Sequence, residues 1–523
     1  MNLNLSKKDF LSATESGIHP LYVEIPYSEP PAIYESLGCQ PDSILLESVK
    51  GSHKTARYSF IAFDPYLVFT VIDGEINIRA KKIVERQKDK KWTEGEGILP
   101  STVSFGHPLR KLEELVTNYP QKSDPKLPPF QGGAVGLLSY GFARYIENIP
   151  KNAFNDIRIP DAHFLIVDKV IAFDHLLNRA WLIIAPGIRP WISDAEADPL
   201  NIINMDWSDA YEKAGEELQT ISYRLQAKKQ SRGLNLPLTP FSSSLRYEMS
   251  KGEYIDIVRR AKEYIAAGDI LQANLSQRIS QYIGNEDPWG IYKVLRGINP
   301  SPFAAYANFG DYQIVSSSPE RLIRVKDNVI ETRPIAGTRP RGRNSSEDEL
   351  MRAELLLNEK ERAEHIMLVD LERNDIGRVS EYGTVVVDEL MITEEYSHVI
   401  HIISNIKGIL AREKTCFDAI KAIFPGGTIT GAPKIRCMEI IDELEPISRG
   451  PYTGALGYIG FSGNMDFNII IRTFVIKGGL AYVQAGAGIV ADSDPEREYH
   501  ETLKKAEALI KTIEVMRGGS GEA

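Results

Sequence analysis

Two pairs of glutamates carry the strongest chemical signal in the 523-residue sequence. Glu361 and Glu364 stand three residues apart, and so do Glu498 and Glu501. In a helix that spacing puts both side chains of a pair on one face. Two such helices facing each other would bring four carboxylates together. That set repels itself unless a hard, oxygen-preferring cation such as Mg²⁺ or Ca²⁺ neutralises it. Solvated charged faces show the same spacing, so the pattern alone leaves both readings open. Lys505 comes four residues after Glu501, about one turn along the same face, where it could meet an anion held by the ion. Arg472 in NIIIRT reads as part of an apolar strand, and a guanidinium there needs either a structural carboxylate or a bound anion. Residues 484–488 (QAGAG) follow the strand-like run 480–483, and their small side chains would let backbone N–H groups approach an anion.

Other candidates are weaker. PGGTITGAPK (425–434) is glycine-rich but lacks the Gly-Lys-Ser/Thr ending of a phosphate loop, so nucleotide-phosphate binding is not supported. A carboxylate at the start of the following helix fits better. His398 and His401 would point to opposite faces of a strand, so only one of them could see a site. Glu320, after SSSP, reads by default as a surface glutamate. No HExxH or GxSxG pattern occurs, which argues against those hydrolytic chemistries.

These residues need a scaffold. The runs 43–46, 58–63, 66–72, 163–173 and 179–184 are β-branched or aromatic and read as strands, with turn pairs such as Asp73-Gly74 between them. Ser250 and Glu253 form a capping box for a helix that ends at Gly268, and a strand follows from Ile270. Ser346 and Glu349 open a proline-free helical region over 344–378, and Ser493-Asp494-Pro495-Glu496 starts the helix of the second glutamate pair. The residues 118–133 and 228–244 read as linkers, placing a boundary near residue 240. The mixture is not a βαβ alternation. It predicts an α+β fold of large antiparallel sheets with helices packed outside.

Composition excludes several classes. With 43% hydrophobic and 25% charged residues the chain is globular rather than disordered. A net charge of −10 disfavours nucleic-acid binding, which needs a basic face. No run of eighteen apolar residues predicts a membrane span, and MNLNLSKKDF lacks the apolar stretch of a signal peptide. Three isolated cysteines suit the reducing cytoplasm.

Long motifs then narrow the reading. SSSPE (316–320), RPIAGTRPRG (333–342), EHIMLVDLERND (364–375), PGGTITGAPK, QAGAGIV (484–490) and EYHETLKKA resemble the chorismate-utilising enzymes. LLES (45–48) resembles the tryptophan-binding signature of their anthranilate-forming branch. The resemblance implies a tryptophan-binding regulatory domain over 1–240 and a catalytic chorismate-binding domain over 241–523, built as a sandwich of antiparallel sheets with helices outside. It implies Mg²⁺ near Glu361, Glu364, Glu498 and Glu501, with Glu364 and Glu501 the firmest ligands. Gly337, Thr338, Tyr452, Arg472, Gly486, Ala487, Gly488 and Lys505 would hold the substrate. Glu320 matches the general acid that protonates the departing ring hydroxyl, His401 lies near the enolpyruvyl group, and Thr428 stands close by. Ser48, Glu47, Lys50, Pro302, Phe303 and Ala304 would form the tryptophan site.

Two absences choose a branch within that resemblance. Isochorismate- and salicylate-forming relatives activate water with a lysine where this chain has Gln272, and an amide is no base. Aminodeoxychorismate synthases commonly carry a nucleophilic lysine where this chain has Ala336. Ammonia needs neither, so amination of chorismate at C2 and loss of pyruvate are expected. None of the cysteines has an amidotransferase setting, so a separate glutamine amidotransferase is expected to supply ammonia, in a heterotetramer of two chains of each kind. An aminodeoxychorismate synthase and a catalytically dead tryptophan-binding scaffold are the alternatives.

Overall fold

The computed structural model describes residues 3–15, 17–52, 54–80, 102–188, 206–227, 244–395 and 399–517. Two antiparallel sheets of 12 strands each form its centre. The first runs Leu21–Ile25, Arg179–Ile184, Lys169–Asp174, Tyr58–Ala62, Ser43–Glu47, Phe303–Asn308, Tyr312–Ser318, Thr473–Lys477, Leu480–Ile489, Gln272–Tyr282 and Arg246–Tyr247, with Gly431–Ala432 beside Gln272–Tyr282. The second runs Ile335–Pro340, Val399–Ile409, Val329–Thr332, Arg321–Lys326, Met465–Ile469, Ala455–Gly460, Gly133–Leu138, Ala162–Val167, Leu67–Ile72, Glu75–Ala80 and Thr102–Phe105, with Val386–Glu395 beside Val399–Ile409.

Successive residues of a strand point to opposite faces, and here both faces are covered. Val135 and Leu137 point into the layer between the sheets with Ile44, Phe60 and Leu165, whereas Ala134 and Leu138 join Leu112, Phe417 and Ile420 of the helices outside. Tyr292, Leu295, Leu509 and Ile513 cover the outer face of the first sheet. Phe130 and Tyr458 stack at 4.6 Å in the middle layer, where truncating an aromatic ring typically costs about 3–5 kcal/mol. The α+β sandwich with outer helices matches the expectation. Among the described residues no helix is long and apolar enough to cross a membrane.

Double burial also explains where the sequence reading slips. The run 163–173 is two strands, Ala162–Val167 in the second sheet and Lys169–Asp174 in the first. Every residue of both is buried, so no break in periodicity marks the switch at Asp168. The helical region 344–378 is two helices, Ser345–Leu357 capped by Asn344 and Glu359–Gly377 capped by Asn358. The expected boundary near residue 240 and most of the 228–244 linker lie outside the described residues. Strands from either side of it share both sheets: Ser43–Glu47 pairs with Phe303–Asn308, and Gly133–Leu138 with Ala455–Gly460.

Candidate active site and a neighbouring cavity

The chain crosses between the two sheets twice at one place. Tyr312–Ser318 of the first sheet leads through Pro319 and Glu320 into Arg321–Lys326 of the second, and Met465–Ile469 returns through Ile470–Arg472 to Thr473–Lys477. The crossings lie side by side: Ile469 N–H donates to the Glu320 carbonyl at 3.0 Å and Ser317 N–H to the Arg472 carbonyl at 3.1 Å. Arg472 is therefore in a link with φ +50°, not in the strand expected from its apolar neighbours. That conformation is unusual for a side-chain-bearing residue and points to a local constraint.

Glu320 is buried, not the surface residue its context suggested. Thr428 Oγ1 donates to its Oε1 at 2.9 Å from a short 3-10 turn, Gly427–Ile429. Burial pushes the carboxyl up to about 7, against the Thr428 bond, the Ile335 N–H and the charges of Arg472 and Lys505, which pull it down. Near neutrality it can therefore hold a proton and release it.

His401 lies on Val399–Ile409 opposite Thr338. Its Nδ1 is 3.1 Å from the Gly337 carbonyl and 3.0 Å from Thr338 Oγ1. A carbonyl only accepts, so Nδ1 carries the hydrogen. Burial and then Arg472 lower the imidazole to about 4, leaving it neutral near pH 7. Gly337 is a bulge at φ +64°, and a Cβ there would lie 2.2 Å from Glu361 Oε2. His398 lies outside the described residues.

The glutamate pairs sit on Glu359–Gly377 and Pro495–Met516, as their spacing predicts. They are not one even cluster. Glu361 accepts from Arg339 at 2.6 Å, and its Oε2 is buried without a hydrogen bond. Glu364 accepts from Gln272 Nε2 at 3.0 Å, and Glu501 pairs with Lys505 at 2.8 Å. Glu364 is raised above the ordinary carboxylate range first by burial, with the Glu501 charge adding to it. Glu498 is raised by burial and by Glu501, against the Ser493 bond. Among the described residues no three Asp, Glu, His or Cys side chains are gathered closely enough to cage a metal. Mg²⁺ typically takes one or two carboxylates and keeps several waters. The Glu364–Glu501 repulsion, answered in part by Lys505, and the orphaned Glu361 oxygen fit that open kind of binding, not the four-carboxylate cage.

Residues 484–488 belong to the strand Leu480–Ile489, so they form no nest after a strand end. Their smallness serves close packing: a Cβ on Gly486 would lie 2.4 Å from Asn274 Oδ1 and 2.9 Å from the Tyr452 hydroxyl, and one on Gly488 2.6 Å from Gln272 Nε2. Ala487 points into the core. Lys505 Nζ reaches the Gly486 carbonyl at 3.0 Å. Two arginines of this floor escaped the sequence reading. Arg339 sits two residues beyond Gly337, and Arg449 binds Glu445, the Ile429 and Asn274 carbonyls, and stacks 5.7 Å from the Tyr452 ring. Arg339 lies inside the RPIAGTRPRG motif, where no role was read for it, and nothing local marked Arg449.

A separate cavity of about 430 Å³ opens where the halves of the chain meet, lined by Glu47, Ser48, Pro302, Phe303 and Ala304 together with Lys54, Arg57, Arg321, Arg333, Tyr458 and Asn468. Ser48 Oγ donates to the Tyr58 carbonyl at 2.8 Å. The Glu47 carboxylate is taken by Arg296 at 2.7 Å and by the Tyr292 hydroxyl. Lys50 is exposed and is not among the lining residues, where Lys54 stands instead. Arg333 pairs with Glu389 at 2.6 Å and Glu394 at 2.5 Å, two residues before the Ile335 N–H that faces Glu320.

Residues 49–511 match the family of chorismate binding enzymes. The chain is 42% identical over 510 residues to anthranilate synthase component 1 of Acetivibrio thermocellus, covering 96% of this chain and 97% of the relative. It is also 42% identical over 474 residues to aminodeoxychorismate synthase component 1 of Bacillus subtilis, covering 90% and 92%. The crystal structure of anthranilate synthase component I from Streptococcus pneumoniae superposes with a TM-score of 0.70 at 34% identity, covering 88% of this chain and 94% of that one.

Proposed function

Because the chain belongs to the chorismate binding enzymes, we propose that it aminates chorismate with ammonia at C2 and eliminates pyruvate, giving anthranilate. One observation carries this reading: a buried carboxyl, Glu320, held near neutrality beside Thr428 and two cations. Glu320 delivers its proton to the ring hydroxyl, which leaves as water. Thr428 orients the carboxyl. Arg472 and Lys505 offer positive charge to the substrate carboxylates, and neutral His401 stands by the enolpyruvyl group. Gln272 is engaged by Glu364 and has no basicity to activate water, and Ala336 has no nucleophile. Ammonia brings its own lone pair.

Glu364 and Glu501 would hold Mg²⁺, with Glu361 and Glu498 near it. When bound, the ion supplies a positive anchor for a ring carboxylate. The names of the relatives, each a component 1, support a second component as partner. We assign it the amidotransferase role and the two-plus-two heterotetramer. The cavity beside Ser48 suits tryptophan as a feedback inhibitor: its volume is that of a small-molecule site, and its mixed charges complement a zwitterion. The three free cysteines fit work in the cytoplasm.

The equal identity to the Bacillus aminodeoxychorismate synthase component favours one second reading, amination at C4. Incubation of the purified chain with chorismate, Mg²⁺ and an ammonium salt separates the two. The proposal expects pyruvate and the 2-amino isomer; a 4-amino product would replace it with the second reading, and isochorismate would remove both.

A further inference from the structure

The loop that carries Thr428 is fastened by a residue given no role above. It runs over 424–433 between the helices Cys416–Ile423 and Lys434–Leu444. Lys434 Nζ donates to the Ile423 carbonyl at 2.8 Å and to Asp375 Oδ2 at 2.5 Å. The first contact joins the two ends of the loop. The second pins that neck to Glu359–Gly377, the helix of Glu361 and Glu364. Both partners are largely withdrawn from water, with side chains 14% and 4% exposed. Beyond the neck, Gly431–Ala432 pairs with Gln272 and Ala273, and Arg449 holds the Ile429 carbonyl at 3.0 Å. In the entering arm, from Ile423 to Thr428, Phe424 packs edge-on against Phe142, the Thr430 hydroxyl donates to the Gly426 carbonyl at 2.8 Å, and a Cβ on Gly427 would lie 2.3 Å from Leu371. Lys434 is the charged side chain that ties the start of this arm to the next helix.

We propose that Lys434 is a positioning residue for proton delivery: by drawing the loop's neck shut against Asp375 it holds the Thr428 hydroxyl in reach of Glu320. It touches no reactant, and the inference rests on Glu320 being the acid of the proposed reaction. Thr428 donates to Glu320 and so favours its ionised form. A loosened loop withdraws that bond and lets the Glu320 pKa rise. Of the other charges that face Glu320, Arg472 and Lys505 lie outside the loop, whereas Glu372 is itself lowered by the Lys434 charge, so Thr428→Val, which leaves that charge in place, isolates the effect of the lost hydroxyl. Asp375 itself faces Lys434 and Arg378, with Glu372 beside it on the same helix.

The test uses the full chain and follows pyruvate release from chorismate with ammonium across pH. Lys434→Met should lower kcat about tenfold, change KM for chorismate less than about threefold, and move the alkaline limb of kcat up by about half a pH unit. Thr428→Val should move the limb in the same direction, and the double variant should fall no more than about twofold below the worse single. Lys434→Arg should restore most of kcat. Asp375→Asn keeps an acceptor beside Lys434 and guards against a variant that fails to fold; it should show a smaller loss with the same limb shift. An unmoved limb, a multiplicative double variant, or a loss that only tracks melting temperature would overturn the positioning role. A wild-type chain that releases no pyruvate would instead overturn the acid role beneath it.

Discussion

The reaction centre and the cavity share one sandwich yet treat charge in opposite ways. At the centre, burial shifts groups in spite of their hydrogen bonds: Glu320 and Glu364 are raised, His401 is lowered, and one Glu361 oxygen accepts nothing. Around the cavity most charges are answered. Arg321 meets Asp466 at 2.9 Å, Arg333 meets Glu389 and Glu394, and Arg296 meets Glu47. An unanswered charge is a cost that a reactant can relieve, so it belongs where bonds change. An answered charge shapes a pocket without demanding an occupant, which suits a ligand that must come and go.

That contrast can be broken experimentally. The largest effect should come from Glu501→Gln, which halves the Glu364–Glu501 pair proposed to hold Mg²⁺. Turnover should fall at least about 10³-fold, as should removal of divalent ions from the native chain by a chelator. An enzyme indifferent to both would leave the acidic helices without a catalytic purpose.

Glu320→Gln should come next, losing about 10²–10⁴ in kcat, measured as pyruvate release. It should also stabilise the fold at high pH. Because burial raises the Glu320 pKa to about 7, the native state binds the proton more tightly than the unfolded chain, and stability is lost as pH rises from the ordinary carboxylate range through 7. The glutamine variant avoids that penalty and should gain on the order of 2 kcal/mol at pH 8 in denaturant melts. Wild-type activity should decline above about 7 for the same reason.

In the cavity, Ser48→Phe should weaken tryptophan inhibition about tenfold, read as a shifted inhibition curve, while costing far less kcat than Glu320→Gln. Lys50→Ala should be the smallest, changing tryptophan sensitivity less than about twofold, because the side chain stands outside the cavity. A large effect there would mean that the binding surface extends beyond the lining residues.

The legible parts of the molecule were those written in local chemistry. The capping box at Ser250 and the Asp494–Pro495 start are present as read, since a cap needs only its own turn. The glutamate pairs share their helices for the same reason. What escaped depends on distant partners. Arg339 binding Glu361, and Arg333 joining Glu389 to Glu394, are set by strand register that no nearby residue records. Arg472 read as strand because its neighbours are apolar, and a link between two buried sheets is apolar too. Glu320 read as exposed because polar residues usually are; its burial follows from the crossing between sheets.

The seam where early and late strands pair also constrains how the protein is born. A ribosome releases Ser43–Glu47 long before Phe303–Asn308 exists, and Gly133–Leu138 waits longer still for Ala455–Gly460. Until then the nascent first half carries open, apolar strand edges, the kind of surface that invites aggregation. Each half, taken without the other, leaves strand edges of both sheets unpaired.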